Sequence, residues 1–282
     1  TVYGLGADAS SESAVAKIFA AKGRPSDHPL IVHVASPSGV SYFASQVPVF
    51  AHKLIATFWP GPLTVILPRK PDVARAAAGG QHSIGLRCPS HKVALSLLRA
   101  CEKLGIHGVA APSANRFGRV SPTSAAHVRA EFGADLLVLD GGDCDVGIES
   151  VIVDCTRGVP VLLRPGVITV KELEAACGQQ VHLQGDQLPA APKASGTLES
   201  HYAPRAKLKL VDAREAVALQ ATPDGALRAV YVLPSDPAIA AHELFAVLRK
   251  LDDTGVSEIL ISEPPAGDAW DGVRDRLTRA AA

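Results

Sequence analysis

Apolar positions along the chain keep switching between two periods. Ala14, Val15, Ile18 and Phe19 recur three and four residues apart, which predicts a helix over 11–22 capped by Ser10 or Ser11. Residues 30–34 are β-like, 47–58 are helical, and Trp59-Pro60-Gly61-Pro62 breaks the chain before a strand at 63–67. A short strand at 83–87 precedes a helix at 90–103 that carries Leu95, Leu97 and Leu98. Further strands are predicted at 108–111, 136–139, 150–153 and 159–163, and helices at 123–131 and 170–176. Such mixing implies an α/β domain built on a central sheet. From 177 to 204 the periodicity fails among Gln, Gly, Pro, Ala and Ser, which reads as a linker. Beyond it, strands at 207–211, 227–233 and 259–262 alternate with helices near 213–220, 237–252 and 268–281, a second and smaller α/β domain. The predicted division is therefore 1–177, a linker at 178–204, and 205–282.

Composition narrows the class. Twenty-eight Lys plus Arg balance 28 Asp plus Glu, which argues against a protein whose main task is gripping nucleic acid but leaves room for a local basic cleft. The five cysteines, at 88, 101, 144, 155 and 177, form no C-x-x-C pair and read as reduced thiols in a cytoplasmic setting. No apolar run has the roughly 18–20 residues of a membrane span. With no methionine, and Thr1-Val2-Tyr3-Gly4 reading as the end of a strand, a preceding stretch is expected.

The common nucleotide motifs are missing: there is no G-x-x-x-x-G-K-[ST], and Gly4-Leu5-Gly6 lacks its third glycine. What remains are short polar pairs in turns. Arg24 precedes a proline, which favours an extended backbone and sets Lys22 and Arg24 on one side, suited to a phosphate or carboxylate; a solvated basic turn is the plainer alternative. Ser113 and Asn115 sit two apart just past a strand, where α/β sheets bind ligands, although Ser/Asn turns are common. Arg164-Pro165-Gly166, Gly147-Ile148-Glu149-Ser150 and Gly85-Leu86-Arg87 add cations and a serine near strand ends. His201-Tyr202-Ala203-Pro204 closes the linker with an aromatic that either folds over a base or anchors the linker on a domain. Four cations (Lys22, Arg24, Arg87 and Arg164) with no competing acidic pair or thiol–histidine set favour gathering several anions over covalent catalysis.

These residues resemble the YrdC-like family in its longer, two-domain form. The resemblance runs through residues 1–8, 22–25, 28–34, 59–64, 111–115, 121–123, 147–154 and 163–166, and through His201 to Pro204. It implies a twisted mixed sheet flanked by helices, followed by a linker and a smaller Rossmann-like domain. It also implies a reaction in which L-threonine, bicarbonate and ATP give threonylcarbamoyl-adenylate and pyrophosphate, with Mg2+ carried by the ATP and no metal site on the chain. The product would pass to the machinery that modifies tRNAs reading ANN codons, with RNA contact as an open point. By resemblance, Thr1, His33, Arg87, Ala111 and Ser150 line the threonine pocket. Arg24, His28, Ser83, Ser113, Ser121, Arg164 and Tyr202 meet ATP, and Lys22, Arg24, Ser113 and Asn115 form the central catalytic group. Tyr202 would belong to a closing lid. Val151 stands where the family usually has threonine, so either a hydroxyl that orients the amino acid is lost or the position only packs. Two other readings are a nucleic-acid-binding module without turnover and a carbamoyl-handling domain of hydrogenase maturation.

Overall fold

The computed structural model describes residues 1–184, 186, 191–221 and 227–282. Its strands are β1 (Ala7–Asp8), β2 (Ile31–His33), β3 (Leu63–Pro68), β4 (Ser83–Arg87), β5 (Val109–Ala110), β6 (Val151–Asp154), β7 (Val161–Arg164), β8 (His182–Leu183), β9 (Lys207–Val211), β10 (Arg228–Tyr231) and β11 (Glu258–Ser262). Its α-helices are α1 (Glu12–Lys22), α2 (Val40–Phe43), α3 (Val49–Phe58), α4 (Lys92–Lys103), α5 (Ala125–Phe132), α6 (Val170–Cys177), α7 (Ala213–Ala221), α8 (Pro237–Asp252) and α9 (Asp271–Ala281). The chain forms two compact bodies. The first holds Gly4–Phe117 and Ser150–Thr197; the second holds Thr1–Tyr3, Gly118–Glu149 and Leu198–Ala282.

In the first body, eight strands make one mixed sheet in the order β1-β5-β2-β4-β3-β6-β7-β8. Alternation along each strand sorts its two faces. Val32, Leu63, Val65, Leu67, Ile84, Leu86, Val151 and Val153 point into an aliphatic core shared with Val15, Ile18, Leu54 and Leu173 of the covering helices. The intervening residues Ile31, His33, Thr64, Ile66, Ser83, Gly85, Arg87 and Ile152 point to the other face, and this is where the polar chemistry collects. The residue that departs from the family pattern, Val151, is fully buried in the first of these faces. Its side chain therefore packs in the core.

One irregularity decides where an arginine points. Antiparallel β6 and β7 pair Val153 with Leu162, then Ile152 with Arg164, so Leu163 is an extra residue on β7. Were the register uninterrupted, Leu163 would oppose Ile152 and Arg164 would aim at the helix-covered core. The bulge turns it to the polar face instead.

The second body carries a parallel three-stranded sheet, β10-β11-β9. Its core unites Ala240, Leu244, Phe245 and Leu248 of α8 with Ile259, Ile261, Val273 and Leu277. Parallel strands joined by helices fit the Rossmann-like expectation for this part of the chain.

Three expectations change. No strand forms at 136–139: the segment is not laddered, and Leu137 and Leu139 are 86% and 50% exposed, because β propensity without a pairing neighbour makes no sheet. The stretch from 178 to 204 is not a featureless linker; β8 lies within it and pairs with β7. Residues 185 and 187–190 of that stretch lie outside the described residues. Packing also divides the chain elsewhere than at 177/178, since 118–149 belong with the second body.

Candidate active site

Helix α1 is capped by the Ser11 hydroxyl and stopped by Gly23 in the left-handed region at φ 64°. Lys22 and Arg24 therefore flank a helix cap, and the extended backbone predicted there is absent at Gly23. Nor is this an exposed turn: Lys22 and Arg24 are 3% and 9% exposed. Lys22 Nζ donates to the carbonyls of Ser113 and Asn115, each at 2.5 Å, and so ties the end of α1 to the turn after β5. The predicted Lys–Arg and Ser–Asn pairs are thereby brought together. Asn115 is buried, with its Nδ2 donating to Arg116 O at 2.8 Å. Arg24 donates to Pro29 O at 2.8 Å and to Ser195 Oγ at 3.2 Å, with its guanidinium 5.8 Å from the Phe117 ring centre. His28 packs edge-on to the same ring at 5.5 Å, and desolvation together with the Arg24 charge lowers its pKa.

On the polar face, parallel pairing sets His33 beside Arg87. Desolvation, and then the neighbouring guanidinium, push the His33 pKa down to about 3, so the ring stays neutral at pH 7. Arg87 Nε donates to Gly61 O at 3.0 Å. A Cβ at Gly61 would stand 2.2 Å from Phe58 O, so only glycine fits this turn. Ala111 follows β5 and donates its N–H to Ile31 O. Ser150 Oγ shares a 2.7 Å hydrogen bond with Thr64 Oγ1. Arg164 reaches the same serine twice, Nε to Ser150 O at 3.0 Å and Nη2 to Ser150 Oγ at 3.2 Å. Its Nη1 donates to Ser195 O at 3.0 Å.

Ser195 thus joins two arginines that are 140 residues apart in sequence. It lies on a strap, residues 191–197, that crosses the polar face with Ala191 and Ala194 against Ile66, Ile152 and Leu163. Gln81 grips the strap backbone, accepting from Lys193 N at 2.8 Å and donating to Lys193 O at 3.3 Å, and Lys193 Nζ pairs with Asp27 at 2.5 Å. Beneath the strap lies a narrow, nearly filled cleft lined by Pro29, Thr64, Gln81, Ser83, Gly85 and Ser195 among others. Sequence reasoning missed Thr64, Gln81, Phe117 and Ser195. Thr64 alternates within β3 and was findable from the strand period; Ser195 sits in a low-complexity stretch that gives no signal.

Thr1, Ser121 and Tyr202 belong to the second body. Ser121 is fully buried and donates to Glu149 Oε1 at 2.5 Å, while the other carboxylate oxygen takes Arg276 Nε at 2.9 Å. Tyr202 is 1% exposed, stacks on Phe245 at 5.3 Å and lies 5.4 Å from the Arg276 guanidinium. Among the described residues no group of three or more His, Cys, Asp or Glu side chains is placed to hold a metal, and no helix is long and apolar enough to cross a membrane.

Comparison with known proteins bears on this arrangement. Residues 1–166 match a family model described as telomere recombination, and residues 168–282 match the model for the threonylcarbamoyl-AMP synthase C-terminal domain. The threonylcarbamoyl-AMP synthase of Pyrococcus abyssi is 38% identical, covering 99% of this chain and 88% of that protein. The Bacillus subtilis threonylcarbamoyl-AMP synthase is 43% identical, covering 75% of this chain and 61% of its own. The crystal structure of P. abyssi Sua5 complexed with L-threonine superposes with a TM-score of 0.87 at 36% identity, covering all of this chain and 88% of that one.

Proposed function

This chain belongs to the threonylcarbamoyl-AMP synthase family, and on that premise we propose that it makes L-threonylcarbamoyl-AMP and pyrophosphate from L-threonine, bicarbonate and ATP. The threonine amine forms a C–N bond to the one-carbon unit with loss of water, giving a carbamate. A carbamate oxygen then attacks the α-phosphorus, and the bond to pyrophosphate breaks. No protein nucleophile is needed, since the work is to hold anionic reactants in line and offset their charge.

The observation that best supports this reading is the run of contacts Thr64–Ser150–Arg164–Ser195–Arg24 on one face of the sheet. At one end we assign the threonine subsite to His33, Arg87, Ala111 and Ser150; Arg87 supplies the charge for the carboxylate, and neutral His33 supplies a hydrogen bond. At the other end Arg24, His28, Ser83, Ser113 and Arg164 are assigned to ATP, with Lys22, Arg24, Ser113 and Asn115 nearest the reacting groups. We take magnesium to arrive on the polyphosphate. Five cysteines outside any disulfide suit a reducing cytoplasm, and the adenylate would be passed to a tRNA-modifying transferase. Pyrophosphate release measured with each substrate omitted in turn tests the reading: we expect release only with all three. Release without threonine or bicarbonate would contradict it, and salt-sensitive RNA binding without turnover would favour the nucleic-acid reading.

A further inference from the structure

We propose that Ser195 is a positioning residue that sets Arg24 and Arg164 as a two-guanidinium clamp for the polyphosphate of ATP, an inference that rests on the reading above. Arg24 leaves the cap of α1 and Arg164 leaves the bulged end of β7, so no element shared by the two fixes their spacing. Ser195 does so from between them, using different atoms. Its Oγ accepts from Arg24 Nη2 at 3.2 Å, and its carbonyl accepts from Arg164 Nη1 at 3.0 Å. The hydroxyl hydrogen is committed to Pro29 O at 2.8 Å, which leaves the oxygen lone pairs facing the arginine. Pro29 O also accepts from Arg24 Nη2 at 2.8 Å, so guanidinium, hydroxyl and carbonyl close a three-membered ring of hydrogen bonds.

That ring is anchored on both sides. The 27–30 segment is pinned by Leu30 N to Ala77 O and by Gly79, where a Cβ would stand 2.7 Å from Asp27 O. The strap is pinned by the paired bonds between Gln81 and the Lys193 backbone. Every oxygen named here is neutral, so these bonds fix the plane of each guanidinium without contributing negative charge. A planar fork oriented this way before the ligand arrives suits phosphoryl oxygens, and the ordering cost is met during folding.

The test uses the full chain, with ATP binding by calorimetry and turnover measured separately. Ser195→Ala removes the hydroxyl and keeps the carbonyl. We expect ATP affinity to fall about tenfold, with the KM for threonine and the melting temperature unchanged. Ser195→Thr restores the hydroxyl and should return ATP affinity to within about threefold of the parent. Unchanged ATP affinity in Ser195→Ala overturns the proposal. So does an equal loss for ATP and threonine accompanied by lower stability, which marks a structural role. Tighter ATP binding overturns it as well, because the strap would then compete with nucleotide. A parent protein that binds ATP but releases no pyrophosphate sinks the proposed reaction while the clamp still stands or falls on the binding data; one that binds no ATP sinks both.

Discussion

At the scale of single residues, burial changes what the cationic pairs mean. Lys22 is not a solvated charge at the end of a helix but the ammonium that satisfies two carbonyls of the turn at 113–115. Lys22→Ala should therefore abolish pyrophosphate release and also cost about 1–3 kcal/mol of stability, since it strands those buried acceptors. Denaturant unfolding beside a turnover assay separates the two effects; full activity would remove Lys22 from the mechanism. His33 makes a different prediction. Its folded pKa of about 3 lies below the ordinary 6.5, so between those values the unfolded chain binds a proton that the folded chain does not. Stability then falls as pH drops below about 6.5 and this contribution levels off near pH 3. Urea midpoints at pH 7 and pH 5 should show the decline, and His33→Gln should make it shallower; an identical slope in the variant would rule out His33 as its source.

Elements carry the placement of the site. Strands β2, β3 and β4 were legible in the sequence as extended runs, and their pairing separates His33, Ser83 and Arg87 from Val32, Ile84 and Leu86. The bulge at Leu163 was not, because nothing in Val161-Leu162-Leu163-Arg164 marks which leucine is the extra one; the register of β6 fixes that. Ser195 escaped for a related reason: a strap held by side chains from distant segments has no period to read. The reverse happened at 136–139, where a strand-like run found no partner. Val151 gives the test at this scale. A threonine there would put a hydroxyl into the aliphatic core, so Val151→Thr should cost about 1–3 kcal/mol and leave threonine affinity unchanged in calorimetry. Tighter threonine binding would show that the position reaches the substrate after all.

For the molecule as a whole, fold class, family and a division into two parts were readable from motif order, whereas the grouping of 118–149 with 198–282 was not. Residues 118–149 look continuous with the first sheet in sequence, yet their packing partners lie in 198–282. Tyr202 shows the consequence. As part of the second core, stacked on Phe245, its truncation should act first on stability: Tyr202→Ala is expected to cost about 3–5 kcal/mol, seen as an earlier unfolding transition. A variant of unchanged stability with altered product yield would return Tyr202 to the role of a lid. The central claim, that one polar sheet face gathers an amino acid, a one-carbon unit and a nucleotide, is tested most directly by supplying 13C-bicarbonate with L-threonine and ATP and weighing the adenylate formed. The label should appear in threonylcarbamoyl-AMP, and both label and adenylate should vanish in Arg24→Ala. An unlabelled adenylate, or a labelled one made equally well without Arg24, would contradict the claim.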